Sequence, residues 1–334
     1  MRLSLIALVF ISLSSSMKAQ EKINGVSFVA LPNVVTNEML DPVCDTHANW
    51  ITLMPFAYGQ TGKSELRYVD KGWGWWGETP EGIEESIKLA HARGLKVMIK
   101  PQLWFSHGDY TGHFELSSDA DWKIFESAYY DYIMLFAQLS AKYDLPLMCI
   151  GTELTKFSEQ RPSFWRALIK DIRAVYKGKL TYAANWDSFH IISFWDDLDY
   201  IGIDAYFPLC DHQTPSLKAL MRGWQPHFQD IQAFSSNANK EVLFTEWGYR
   251  STDYCAKEPW DYSEEGKVNL DAQYNAYQAV FKQFWHEPWF AGGFIWKWFP
   301  THDKSGGPTD NWFTPQNKPA QDLIRQWYST NKSN

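Results

Sequence analysis

Leu147-Met148-Cys149-Ile150-Gly151-Thr152-Glu153-Leu154 and Val242-Leu243-Phe244-Thr245-Glu246-Trp247-Gly248 share one design: an apolar run that ends on a glutamate. Short runs that are apolar without alternation fit strands buried on both faces, as in a parallel sheet. Six further runs read the same way: Gly25–Ala30, Trp50–Met54, Lys96–Lys100, Leu180–Ala184, Tyr200–Asp204 and Gly293–Trp296. Between them the spacing predicts helices. Thr79-Pro80-Glu81 supplies a cap and a first-turn proline for one that Gly94 closes. Others are expected over Asp119–Tyr143, Ser163–Tyr176, Ser216–Phe234, Leu270–Trp285 and Gln321–Tyr328, with short or irregular helices after the first and fifth strands. Eight strands alternating with helices predict an α/β fold, a single-domain (β/α)8 TIM barrel over residues 21–334. A doubly wound open sheet is the competing fold, but no Gly-rich phosphate turn follows the first strand.

The 334-residue chain has no linker, repeat block or low-complexity tract, and its length suits one such barrel. A net charge of -8 argues against nucleic acid or an anionic membrane surface as partner. Aromatic residues make up 17% of the chain, including 18 Trp. A large core accounts for part of this content, and a cleft that stacks indoles on sugar faces accounts for it more sharply.

Met1-Arg2, the apolar stretch Leu3–Leu13 and the small and polar residues Ser14–Gln20 read as a secretory signal peptide over residues 1–20. The expected location is secreted or periplasmic, with no membrane insertion. Cys44, Cys149, Cys210 and Cys255 are too few for a disulfide scaffold and match no zinc spacing. Cys149 reads as a buried free thiol. Cys210 and Cys255 each follow a strand on one barrel face, which leaves a disulfide between them open after export. The nine histidines show no ligand spacing, so no metal and no cofactor are expected. No Gly-x-Ser-x-Gly elbow suggests an esterase.

Barrels of this kind carry their active groups at the C-terminal strand ends. Glu153 closes strand four and Glu246 strand seven, on opposite sides of one mouth. A carboxylate directly after an apolar strand is costly to desolvate without a partner or a task. Two carboxyls facing one cleft are what glycosidic cleavage requires: one protonates the leaving oxygen and the other attacks the anomeric carbon. Rim salt bridges or helix caps are the bland alternative, weaker for a pair than for a single glutamate.

The paired strand-end glutamates resemble the large retaining clan of (β/α)8 glycosidases. More narrowly, Ile150-Gly151-Thr152-Glu153-Leu154, Asp204-Ala205-Tyr206-Phe207-Pro208 and Phe244-Thr245-Glu246-Trp247-Gly248-Tyr249-Arg250-Ser251 are similar to glycoside hydrolase family 113. So is the segment from Gly306-Gly307 through Phe313-Thr314-Pro315 to Lys318-Pro319-Ala320. The resemblance spans the whole predicted mature chain. It implies endo-acting β-1,4-mannanase activity with net retention and no catalytic metal, Glu153 being acid/base and Glu246 nucleophile. Many clan members place Asn before the acid/base; this chain has Thr152. The 2-hydroxyl contact is thereby left unassigned, and Asn185 after strand five is the candidate to supply it.

Other candidates come from strand ends. Tyr206 is placed to donate to Glu246, or else is a buried tyrosine satisfied by backbone. Trp296 and Trp298 flank Lys297, and alternation sends both to one face, as a subsite floor or as core. Gln102 and Trp104 follow strand three, the former suited to a sugar hydroxyl. The loop Gly72-Trp73-Gly74-Trp75-Trp76-Gly77 presents three indoles as stacking platforms or packs them beneath itself. Lys100 and Arg250 either orient carboxylates or form rim salt bridges. The expected partner is a β-mannan or related glycan, bound by a monomer. The rivals are a retaining β-glycanase on glucan or xylan, an exo-acting β-mannosidase, and a non-catalytic carbohydrate-binding barrel, which would be expected to lose one glutamate.

Overall fold

The computed structural model describes residues 21–68, 74–262 and 266–330. The predicted signal peptide, and Gly72 and Trp73 of the indole loop, lie outside the described residues. All eight predicted strands form: β1 (Ile23–Phe28), β2 (Trp50–Leu53), β3 (Lys96–Ile99), β4 (Leu147–Thr152), β5 (Lys179–Asn185), β6 (Ile201–Asp204), β7 (Val242–Trp247) and β8 (Phe290–Trp298). Each pairs in parallel with its sequence neighbours, and β8 pairs back onto β1, closing the barrel.

The lumen is packed rather than hollow, as barrel interiors of this size are. Ile23, Trp50, Met98, Leu147, Cys149, Leu243 and Phe294 fill it. A much larger core lies between strands and helices, where Trp165, Trp224, Trp247 and Trp285 are fully buried. Much of the tryptophan excess is therefore structural.

The long helices are Pro80–Ala92, Asp119–Lys142, Pro162–Val175, Leu217–Ala238, Leu270–Phe284 and Pro319–Thr330. Four begin at side-chain caps: Thr79, Ser118, Ser216 and Asn269 each accept a backbone N–H from the first turn. After β1 the crossover is one five-residue helix with a 3-10 turn, and after β5 it consists only of 3-10 turns. No helix among the described residues is long and apolar enough to cross a membrane.

One feature departs from the simple alternation. Strands Phe56–Gly59, Leu66–Tyr68 and Gln102–Phe105 make a second, three-stranded sheet. The pairing of β2 with β3 runs on past two prolines: Lys100 N donates to Leu53 O and Gln102 N to Pro55 O, at 2.8 and 2.9 Å. This extension carries Gln102 and Trp104 beyond the barrel rim.

Candidate active site

Glu246 lies inside β7 and is 6% exposed. Three donors hold its carboxylate. The Lys100 ammonium and the Gln102 amide donate to Oε1, the latter at 3.0 Å, and the Tyr206 hydroxyl donates to Oε2 at 2.8 Å. Lys100 sits just past β3 and is fully buried, so this is a buried ion pair across the barrel mouth rather than a rim salt bridge. Burial lowers the pKa of its amine, but Asp204 and then Glu246 outweigh that and hold it above its ordinary value.

Asp204, which ends β6 beside Glu246, is a second buried carboxyl at the mouth. Its Oδ1 accepts the Thr245 hydroxyl at 2.7 Å, and its Oδ2 lies 3.8 Å from the Lys100 nitrogen. Burial and then Glu246 push this carboxyl up to about 7, against Lys100 and Thr245.

Glu153 follows β4 directly, its N–H donating to Ala183 O at 2.8 Å. Its φ of 54° lies in the left-handed region, uncommon for a residue with a side chain and costing on the order of 1–3 kcal/mol. Such conformations persist where the surrounding structure enforces them; here Tyr182 donates nothing to Glu153 but accepts the next amide, Leu154 N–H, at 2.7 Å. The residue keeps part of its surface open. Desolvation, then Asp204 and Glu246, raise its carboxyl well above the usual carboxylate range, and Lys100 only partly offsets them. Among the described residues no hydrogen bond reaches that carboxyl. The two glutamates thus occupy opposite settings: burial and neighbouring carboxyls favour the protonated form of Glu153, while three donors hold Glu246.

Aromatic side chains surround this pair. Trp296, at the end of β8, is partly exposed and lies 5.9 Å from the Lys100 nitrogen by its ring centroid. Tyr262 sits beside Trp296 and is felt electrostatically by both Glu246 and Glu153. Trp186 and Trp260 stack at 4.9 Å, and Tyr262 packs on Phe313 at 5.4 Å. Tyr110, from the loop after the outer strand Gln102–Phe105, and Asp187, from the loop after β5, both approach Glu153. Gly248 is where this wall touches β7: a Cβ there would meet Trp296 O at 2.4 Å.

Several expectations change. Trp298 is fully buried and stacks on His302 at 5.7 Å, so it is core and not a subsite floor. The cause is a register shift: β1 pairs Val26 with Ile295 but Phe28 with Trp298, one extra residue on β8 that breaks the alternation. Gln102 is buried with its amide nitrogen on Glu246 rather than free for a sugar. Cys210 and Cys255 are thiols, as are Cys44 and Cys149. Their loops meet through backbone, Cys210 N donating to Ala256 O at 3.2 Å, not through sulfur. Arg250 lies over the Trp312 ring at 4.7 Å and donates to the carbonyls of Asn311 and Asp261, binding loops together.

The remaining candidates lie around the mouth. Asn185 ends β5 and donates to Asp187 at 2.9 Å. Thr152 is buried and donates to Pro101 O at 3.3 Å. Trp104 is 52% exposed on the outer sheet, and Trp75 of the indole loop is 46% exposed. Asp204, Tyr110, Asp187, Tyr262 and the Trp186–Trp260 stack were missed as site residues. Asp204 stood at a strand end and was findable there; the others sit on loops whose course no periodicity reveals.

A closed parallel barrel that gathers two glutamates, one buried among carboxyls and one held by three donors, into one aromatic-walled mouth is the frame of a barrel glycosidase. The chain belongs to Glycoside Hydrolase Family 113, whose profile matches residues 31–318. The fold is similar to that of a family 113 β-mannanase from Alicyclobacillus acidocaldarius solved in complex with ManMIm. That match has a TM-score of 0.79 and 25% identity over 93% of this chain and 98% of that one. A family 113 β-1,4-mannanase complex superposes with a TM-score of 0.80 and 24% identity over 93% of this chain and all of the other. A Faecalibacterium prausnitzii β-glucuronidase shares the fold at a TM-score of 0.60 and 13% identity, across 93% of this chain and 49% of its own. No curated protein matches the chain.

Proposed function

We propose that this protein is a retaining β-1,4-mannanase that cleaves mannan or manno-oligosaccharides by double displacement. The observation that carries the reading is the division of labour between the two glutamates, set within a family 113 barrel. Glu246, ionised and held by Lys100, Gln102 and Tyr206, attacks the anomeric carbon. Glu153 gives its proton to the glycosidic oxygen as that bond breaks. The resulting ester between Glu246 and the sugar is then attacked by water, whose proton returns to Glu153. The sugar leaves with its original anomeric configuration.

Unequal solvation supports the roles. Hydrogen bonds to the charged form favour an ionised nucleophile, and an apolar, negatively charged setting favours a protonated acid. Trp296 and Tyr262 form the wall nearest the reacting centre, with Trp104 placed for an outer sugar. Residues 1–20 act as an export signal, so that a monomeric enzyme works in the periplasm or outside the cell on a glycan. Family membership and the mannanase neighbours favour mannan over the glucan and xylan alternatives, and the retained carboxyl pair disfavours a purely binding barrel.

Hydrolysis of a β-1,4-manno-oligosaccharide series, with glucan and xylan oligosaccharides as controls, tests this reading. Internal cleavage confined to the mannan series, with products of retained configuration, is expected. Cleavage only of a control glycan contradicts the substrate, and release of single sugars from one end contradicts the endo mode.

A further inference from the structure

Asp204 is an expensive residue for this fold to keep. It has no solvent exposure, so it touches no substrate. Its Oδ2 is buried without a hydrogen-bond partner and faces the Lys100 ammonium at 3.8 Å, beyond hydrogen-bonding range. Lys100 itself hydrogen-bonds the other carboxylate, Glu246. Buried ion pairs are poor sources of stability, and an imperfectly bonded third charge is poorer still. Yet Asp204 is held in place deliberately: Thr245, one residue before the proposed nucleophile, donates to its Oδ1. Asp204 also pairs in register with Glu246, and the neighbouring Ala205 N–H donates to Glu246 O at 2.7 Å.

We infer that Asp204 is a positioning residue that shares the Lys100 ammonium with Glu246 and so sets how tightly the nucleophile's charge is held. The inference rests on the proposed roles of Glu153 and Glu246. Lys100 is the cation shared by these two carboxylates, and Lys297 on β8 acts on Glu246 alone, so the ionised Asp204 adds a negative charge beneath the cleft on the Lys100 side. That charge keeps Lys100 from fully neutralising Glu246, whose carboxylate stays reactive. It also disfavours ionisation of Glu153, because Asp204 acts on it more strongly than Glu246 does. The groups facing Glu153 are Asp204, Glu246, Lys100, Asp187, Tyr110, Tyr182 and Tyr262. Those facing Asp204 are Lys100, Glu246, Glu153, Thr245, Tyr206 and the Cys149 thiol.

The test is Asp204→Asn, which keeps the shape and removes the charge, beside Thr245→Val, which removes only the hydroxyl that favours an ionised Asp204. With one anion gone, the Lys100 charge falls to Glu246 alone, and kcat on manno-oligosaccharides should fall by about tenfold or more with KM within about threefold. The alkaline limb of kcat/KM should move to lower pH by about one unit in Asp204→Asn, and by less in Thr245→Val. A loss of kcat with both limbs unmoved, or no change in either quantity, overturns the inference. If Asp204→Asn does not fold, Thr245→Val alone decides by the same limb. If the wild type cleaves no β-mannoside, the proposed function fails instead. The Glu153 carboxyl, titrated by 13C NMR in wild type and Asp204→Asn, then decides the role of Asp204: a lower titration point supports it and an unchanged one overturns it.

Discussion

Lys100 and Glu246 form a buried ion pair across the barrel mouth, joining the residue after β3 to the C-terminal end of β7. These strands stand opposite one another, so the pair fixes the proposed nucleophile from across the cleft while leaving the side near β4 to Glu153. Substituting Lys100→Met leaves Glu246 and Asp204 buried without their cation. Removing one partner of a buried pair costs about 3–5 kcal/mol, and urea unfolding should register a loss of that size. Because two carboxylates must then be protonated or pay for their charge, the loss should be greater at pH 8 than at pH 5. An equal loss at both values contradicts the shared-cation arrangement.

Stability should itself fall as pH rises from about 5 to 8. Glu153 is raised well above 4.5 and Asp204 up to about 7. Below about 7 Asp204, and above the ordinary carboxylate range Glu153, keep a proton in the folded protein that the unfolded chain has already released, so raising the pH favours unfolding; above about 7 Asp204 is ionised and shares Lys100. Carboxyls held low by partners, such as Glu84 beside Tyr143 and Lys142, act only at more acid pH. Glu153→Gln should raise Tm at pH 8 and flatten the slope while abolishing turnover of unactivated substrates. A variant less stable than wild type at pH 8 contradicts the assignment of Glu153 as a carboxyl ionised at a cost.

Tyr206→Phe deletes the one hydrogen bond that, among the described residues, reaches Glu246 Oε2. A hydrogen bond to a charged group is worth about 1.5–3 kcal/mol, so kcat/KM should drop roughly tenfold to a hundredfold. Steady-state kinetics with manno-oligosaccharides gives the answer. A drop smaller than twofold contradicts the role given to this hydroxyl.

The tryptophans divide into two kinds. Trp298→Ala should destabilise the barrel by about 3–5 kcal/mol, since the indole is fully buried. Trp104→Ala should leave Tm unchanged and raise KM for long oligosaccharides by about two- to tenfold, the worth of one aromatic contact. Thermal denaturation beside a chain-length series separates the two. The reverse pattern would show that Trp104 is structural.

Most of the barrel was legible because its strands are apolar on both faces and its helices carry caps such as Thr79 and Ser118. Glu153 and Glu246 were legible because charge at the end of such strands is conspicuous. The outer sheet was not, because Pro55 and Pro101 interrupt the runs that would announce Phe56–Gly59 and Gln102–Phe105 as strands. Trp298 was misplaced because alternation cannot foresee the one-residue shift in β8. The buried tie between Lys100 and Glu246, and the position of Tyr262, depend on contacts between residues far apart in the chain. Neither leaves a local pattern.

Trapping the covalent intermediate tests the central claim most directly. The protein is treated with a 2-deoxy-2-fluoro-β-mannosyl fluoride, whose fluorine slows the second displacement, and the labelled peptide is identified by mass spectrometry. One sugar bound through an ester on Glu246, with no label in Glu246→Ala, is the predicted result. Label on Glu153, or turnover with inverted configuration and no trapped species, would contradict it.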